Sequence, residues 1–209
     1  MVILHIGYID SSVIGGVPVA VPMMIRSQGL HATVGLFNLH GTPVPGVTTL
    51  HVDPFSLEAL ASPFDRPDLV IFHEVYRIAF ISISKVLRRA GIPYVVIPHG
   101  CLTKQAQNRK KLKKALGNLL LFRRFLTAAN AVQYLSDREA EHAVFSLPHF
   151  VLGNGVPLPG KKKTAFFEAG ICHRKSGTDT AAMVTVTVIE AVTTVQRRGE
   201  HGYQAETAG

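Results

Sequence analysis

Gly91-Ile92-Pro93-Tyr94-Val95-Val96-Ile97-Pro98-His99-Gly100-Cys101 is a short, almost wholly apolar run that stops abruptly at Pro-His-Gly, with a polar and very basic segment after it. Uninterrupted apolar strands of this kind belong in the middle of parallel sheets covered on both faces. In open α/β sheets, ligands bind beyond the carboxyl ends of such strands. His99 therefore falls where chemistry is expected, and Gly100 lets the backbone turn tightly beside it. The plainer alternative is a histidine that caps the strand and bonds to nearby backbone.

Working outward, strand and helix signals alternate, the pattern of an α/β domain with a mostly parallel, Rossmann-like sheet and helices on both faces. Val2–Tyr8 reads as the first strand, followed by a small-residue loop over Ser11–Val17 and a helix over Pro18–Gln28 that Gly29 ends. Pro22 inside that helix predicts a start later than Pro18, because proline costs least in the first turn. Strands are expected at His31–Leu39, Thr48–Val52 and Asp68–Glu74, a helix at Arg77–Arg89 with Gly91 as its C′ residue, and then the central strand. One long helix is expected from Lys104 to Ala128, basic in its first half and apolar in its second. Ala131–Leu135 reads as a strand, and Ser136 followed by Glu139 as the capping box that opens a helix. Phe150–Leu152 is a last short strand, leading into Gly153-Asn154-Gly155-Val156.

The chain has 209 residues and a net charge of +8, long enough for one well-buried domain with an appendage. No apolar run reaches the roughly 18 residues of a membrane span, and the N-terminus reads as a strand, not a signal peptide. Cys101 and Cys172 have no metal-ligand spacing around them, so a reduced, cytoplasmic setting without zinc is the expectation. No acidic residue occurs from Cys101 through Ser136, whereas Lys104, Arg109, Lys110, Lys111, Lys113, Lys114, Arg123 and Arg124 all do. Such a patch suits an anionic partner, whether phosphorylated lipid, a membrane surface or nucleic acid, or else is a solvated helix face.

Two further features bear on chemistry. Gly15-Gly16 follows the first strand and opens a helix, where free N–H groups and the helix dipole make an anion site. Both Gly-x-Gly-x-x-Gly and the P-loop are absent. His73-Glu74 ends one strand and His99 the next; if those strands are neighbours, the three groups converge on one crevice, with Glu74 placed to fix a histidine tautomer. Neither a Gly-x-Ser-x-Gly elbow nor a metal-binding His cluster occurs.

Taken in order, Gly15-Gly16-Val17, Pro67–His73, the strand ending in Pro98-His99-Gly100, Ser136-Asp137-Arg138-Glu139-Ala140-Glu141 and Asn154-Gly155-Val156 resemble the N-terminal half of a GT-B glycosyltransferase, most like family 4. The resemblance covers about residues 1–160. It implies transfer of a sugar from a nucleotide sugar to a sugar or lipid-linked acceptor, with the nucleotide sugar as substrate and neither cofactor nor metal. It places Gly15 and Gly16 at the donor phosphates and His99, with His73, at the reaction centre. The family's second, donor-binding domain has no counterpart in residues 161–209, whose composition changes sharply after Lys161-Lys162-Lys163 and which lack the family's spaced glutamate pair. A frameshifted tail, a chain inactive alone, and a donor domain on a separate chain are the expectations that follow. The competing reading is a non-catalytic module that uses the basic helix on an anionic ligand, a membrane or nucleic acid, although no specific nucleic acid is expected.

Overall fold

Seven parallel strands form one sheet in the order β3-β2-β1-β4-β5-β6-β7 in the computed structural model, which describes residues 1–108 and 121–154. The strands are β1 (Val2–Gly7), β2 (Thr33–Asn38), β3 (Thr49–Leu50), β4 (Leu69–His73), β5 (Tyr94–Ile97), β6 (Ala131–Tyr134) and β7 (His149–Val151). The helices are α1 (Gly16–Gln28), α2 (Ile78–Arg89), α3 (Lys104–Asn108), α4 (Arg123–Thr127) and α5 (Asp137–Glu141). The expected α/β architecture is the one observed. Strand order reverses between β1 and β4, so the crevice of a doubly wound sheet opens at the carboxyl ends of those two strands.

Alternation along the strands splits the core into two layers. Leu4, Ile6, Val70, Phe72, Tyr94 and Val96 pack with Phe80, Ile83 and Leu87 of α2 and Phe125 and Leu126 of α4. On the other face, Ile3, Leu36, Leu69, Ile71, Val95 and Ile97 pack with Val21 and Ile25 of α1. α2 buries Phe80, Ile83, Ser84 and Leu87, the i, i+3, i+4, i+7 spacing of one helical stripe. It ends as expected at Gly91 (φ 68). Ile92 N–H donates to the Leu87 carbonyl at 2.9 Å and Gly91 N–H to the Arg88 carbonyl at 3.3 Å, which is the Schellman pattern.

Several expectations need correction. α1 starts at Gly16, earlier than the prolines suggested, with Gly15 as an extended N-cap and Pro22 in its second turn. Packing of Val21 and Ile25 on the sheet outweighs the hydrogen bond that Pro22 cannot donate to the Pro18 carbonyl. The strand expected at Thr48–Val52 shrinks to Thr49–Leu50. Of the long helix expected over Lys104–Ala128, α3 and α4 are described, and 109–120 lie outside the described residues. Arg109, Lys110, Lys111, Lys113 and Lys114 lie there too, whereas Lys104 is exposed at the start of α3. Gly155, Val156 and the whole of the expected tail at 161–209 are likewise outside the described residues. Among the described residues, no helix is long and apolar enough to cross a membrane.

Candidate functional site

Parallel register brings together residues far apart in sequence. His5 on β1 pairs with Ile71 on β4, and His73, two residues beyond Ile71, lies on the same face because side chains alternate with period two. His73 in turn pairs with Ile97 on β5, and His99 follows two residues later. The three histidines therefore descend as a staircase, one step toward the carboxyl edge for each strand crossed. His5 and His73 are wholly buried, and their rings stack with centroids 5.1 Å apart.

The staircase is hydrogen-bonded throughout. His5 Nε2 lies 2.7 Å from Gln28 Oε1, His5 Nδ1 lies 2.8 Å from His73 Nε2, and His73 Nδ1 lies 3.0 Å from His99 Nε2. Gln28 is 1% exposed at the end of the core-facing stripe of α1. Burial depresses all three basicities, because an imidazolium loses its hydration there. His5 and His99 fall from the ordinary 6.5 to about 4. His73 lies well below 6.5, first from burial and then from repulsion by charge on His5 and His99. At neutral pH the three histidines are uncharged.

The last step sits in a tight turn. His99 (φ 50) and Gly100 (φ 80) both occupy the left-handed region, and Cys101 N–H donates to the Pro98 carbonyl at 3.2 Å, so the turn has the positive-φ signature of the I′ class. For a non-glycine residue such a conformation costs about 1 kcal/mol or more. Glu139 holds it: its carboxylate accepts from Gly100 N–H at 2.6 Å and from Leu135 N–H at 2.8 Å. The capping box is therefore only half made. Ser136 Oγ accepts from Glu139 N–H at 3.2 Å, but the carboxylate goes to the neighbouring turn instead of back to Ser136.

His99, Gly15 and Gly16 line one cavity of about 690 Å³, together with Ile14, Val17, Leu135 and Asn154. That volume is within the usual range of small-ligand pockets, roughly 300–1,000 Å³. The protein itself does not demand glycine at either position. Gly15 has ordinary extended backbone (φ -166), Gly16 is helical, and a Cβ on Gly16 would meet nothing within 4 Å. Neither residue puts a side chain between the first turn of α1 and the cavity it lines, and the first N–H groups of a helix have no partner within it. Asn154 Oδ1 is buried without a hydrogen-bond partner among the described residues.

Glu74 does not join the site. Its backbone is left-handed (φ 74) and its carboxylate accepts from Arg77 Nε at 3.1 Å. His5 and Gln28, which do join the hydrogen-bonded histidines, were missed. Their signals were a lone histidine inside the apolar Val2–Gly7 strand and a glutamine in register with Val21 and Ile25. Among the described residues, no group of three or more His, Cys, Asp or Glu is placed to hold a metal ion.

A doubly wound parallel sheet with helices on both faces defines a Rossmann-like α/β domain. The sequence profile of the family described as glycosyl transferase 4-like domain matches residues 17–150. The chain belongs to that family. No curated protein matches it.

Proposed function

We propose that this chain forms the acceptor-side half of a glycosyltransferase that moves a sugar from a nucleotide sugar to an acceptor hydroxyl. The observation that carries the reading is the single cavity shared by the open N-terminus of α1 and by His99. Backbone N–H groups there suit the donor's diphosphate. A neutral imidazole suits a hydroxyl, because it can accept a hydrogen bond without drawing in a counter-ion. Most of the nucleotide contact would come from a second domain facing this edge, on this or another chain. Lys104 and the basic residues Arg109, Lys110, Lys111, Lys113 and Lys114 would meet an anionic acceptor or the membrane that carries it.

Two measurements test this. Titration of the full chain with UDP and with GDP, followed by amide NMR, is expected to shift the Gly15 and Gly16 signals saturably; unmoved amides with both nucleotides refute the anion site. With a donor domain supplied, His99→Ala is expected to lower turnover by about 10²-fold or more with an unchanged melting curve. An unchanged rate removes His99 from the reaction.

A further inference from the structure

We infer that Gln28 and His5 are positioning residues, which act through His73 to fix the tautomer of His99 so that its Nδ1 faces the cavity as a hydrogen-bond acceptor. The reasoning is one of proton counting along the chain. A neutral imidazole has one N–H donor and one acceptor nitrogen. Gln28 presents an oxygen to His5, and an oxygen of an amide can only accept, so His5 carries its proton on Nε2. Its Nδ1 is then the acceptor and takes the N–H of His73 Nε2. His73 Nδ1 is left as an acceptor and takes the N–H of His99 Nε2. The one nitrogen of His99 not used in the chain, Nδ1, therefore bears a lone pair.

Every member must be neutral for this transmission to work, since an imidazolium donates from both nitrogens and breaks the alternation. Burial supplies that condition: His5 and His73 have 0% exposure and Gln28 1%. The polarity of the relay is set at its far end, by the last residue of α1, the helix whose N-terminal part lines the cavity. Glu139 contributes independently by fixing the backbone of the turn, through Gly100 N–H. Ring plane and protonation are thus determined by different groups. The assignment of the tautomer stands on this geometry alone; its use, to accept a hydrogen bond from a hydroxyl of the sugar or the acceptor, rests on the glycosyltransferase reading.

The test needs neither substrate nor a second domain, so it can fail separately from that reading. Long-range proton–nitrogen NMR on the full chain with ¹⁵N-labelled histidine distinguishes the two neutral tautomers by their nitrogen shifts. At neutral pH, His5, His73 and His99 are all expected in the Nε2–H form; an Nδ1–H signal from His99 overturns the proposal. Gln28→Met removes the terminal acceptor and is expected to give His99 a mixture of tautomers, whereas an unaltered Nε2–H pattern removes Gln28 from the role. Should that variant not fold, Gln28→Glu decides. Its carboxylate, like the amide oxygen, can only accept, so His5 keeps its proton on Nε2 and His99 is expected to stay in the Nε2–H form. An Nδ1–H signal from His99 in Gln28→Glu likewise overturns the inference.

Discussion

Acidification should unfold this domain well before its carboxylates titrate. His5 and His99 hold values of about 4 in the folded protein against an ordinary 6.5, and His73 lies well below 6.5. Their folded values are depressed, so the unfolded chain binds more protons as pH falls below 6.5, and stability is lost from there down through about pH 4. At pH 5 the unfolded-state counterparts of His5 and His99 each gain about 2 kcal/mol by protonation that the folded rings forgo. Fully buried His5 then accounts for about 2 kcal/mol, partly buried His99 for about 1 kcal/mol after allowance for its exposure, and His73 acts in the same direction. A loss of that size is a large share of the roughly 5–15 kcal/mol that holds a domain together. Asp10, whose carboxyl is held below its usual range by hydrogen bonds from Ser12, stays ionised throughout this window and does not contribute. The assay is urea unfolding of the full chain by circular dichroism at constant ionic strength, from pH 7.5 to pH 5. The expected result is a midpoint that is flat above pH 7 and falls steeply below 6.5. In His5→Gln the dependence on pH should shrink by about one histidine's share. A midpoint unchanged between pH 7.5 and pH 5 would refute the assignment of a buried, neutral chain.

Two substitutions probe the packing and the turn. In Gly35→Ala the new Cβ would lie 2.7 Å from the ring of Phe64, itself only 5% exposed in the core; overpacking should cost about 1–3 kcal/mol in urea unfolding, and a neutral result would show that the ring moves freely. Glu139→Gln keeps one acceptor oxygen but loses one of the two charge-assisted bonds to Gly100 and Leu135 N–H. It should cost about 1.5–3 kcal/mol and shift the His99 and Gly100 amide signals, whereas unshifted amides would show that the turn holds itself.

What the sequence disclosed and what it concealed follow from the range of the interactions. Tyr94–Ile97 and Leu69–His73 were legible because central parallel strands are apolar on both faces and carry no alternation to misread. α2 was legible from its stripe and its C′ glycine. The start of α1 was not, since Gly15, Gly16, Pro18 and Pro22 all argue locally against helix while the contacts of Val21 and Ile25 are tertiary. Glu139 was recognised as a capping residue, but a local signature cannot see the turn after a neighbouring strand that draws its carboxylate away. The same limit hid His5 and Gln28, which meet His73 only through strand register and helix docking.

A core with three imidazoles and an amide in place of aliphatic side chains is less stable at low pH than an apolar one of the same shape, and each buried polar atom needs a partner to avoid a further cost. The staircase meets that need at every link, yet the rest of the sheet shows that the fold does not require it: Ile3, Ile71 and Ile97 fill equivalent inward positions on the same face. Departures from an apolar core that are fully satisfied and lead to a cavity are expected where a site, not stability, sets the residue. The staircase ends at His99, which shares a cavity with the N-terminus of α1; on the inference drawn above, the direction of its hydrogen bonds, more than the presence of any one histidine, is what the core contributes there.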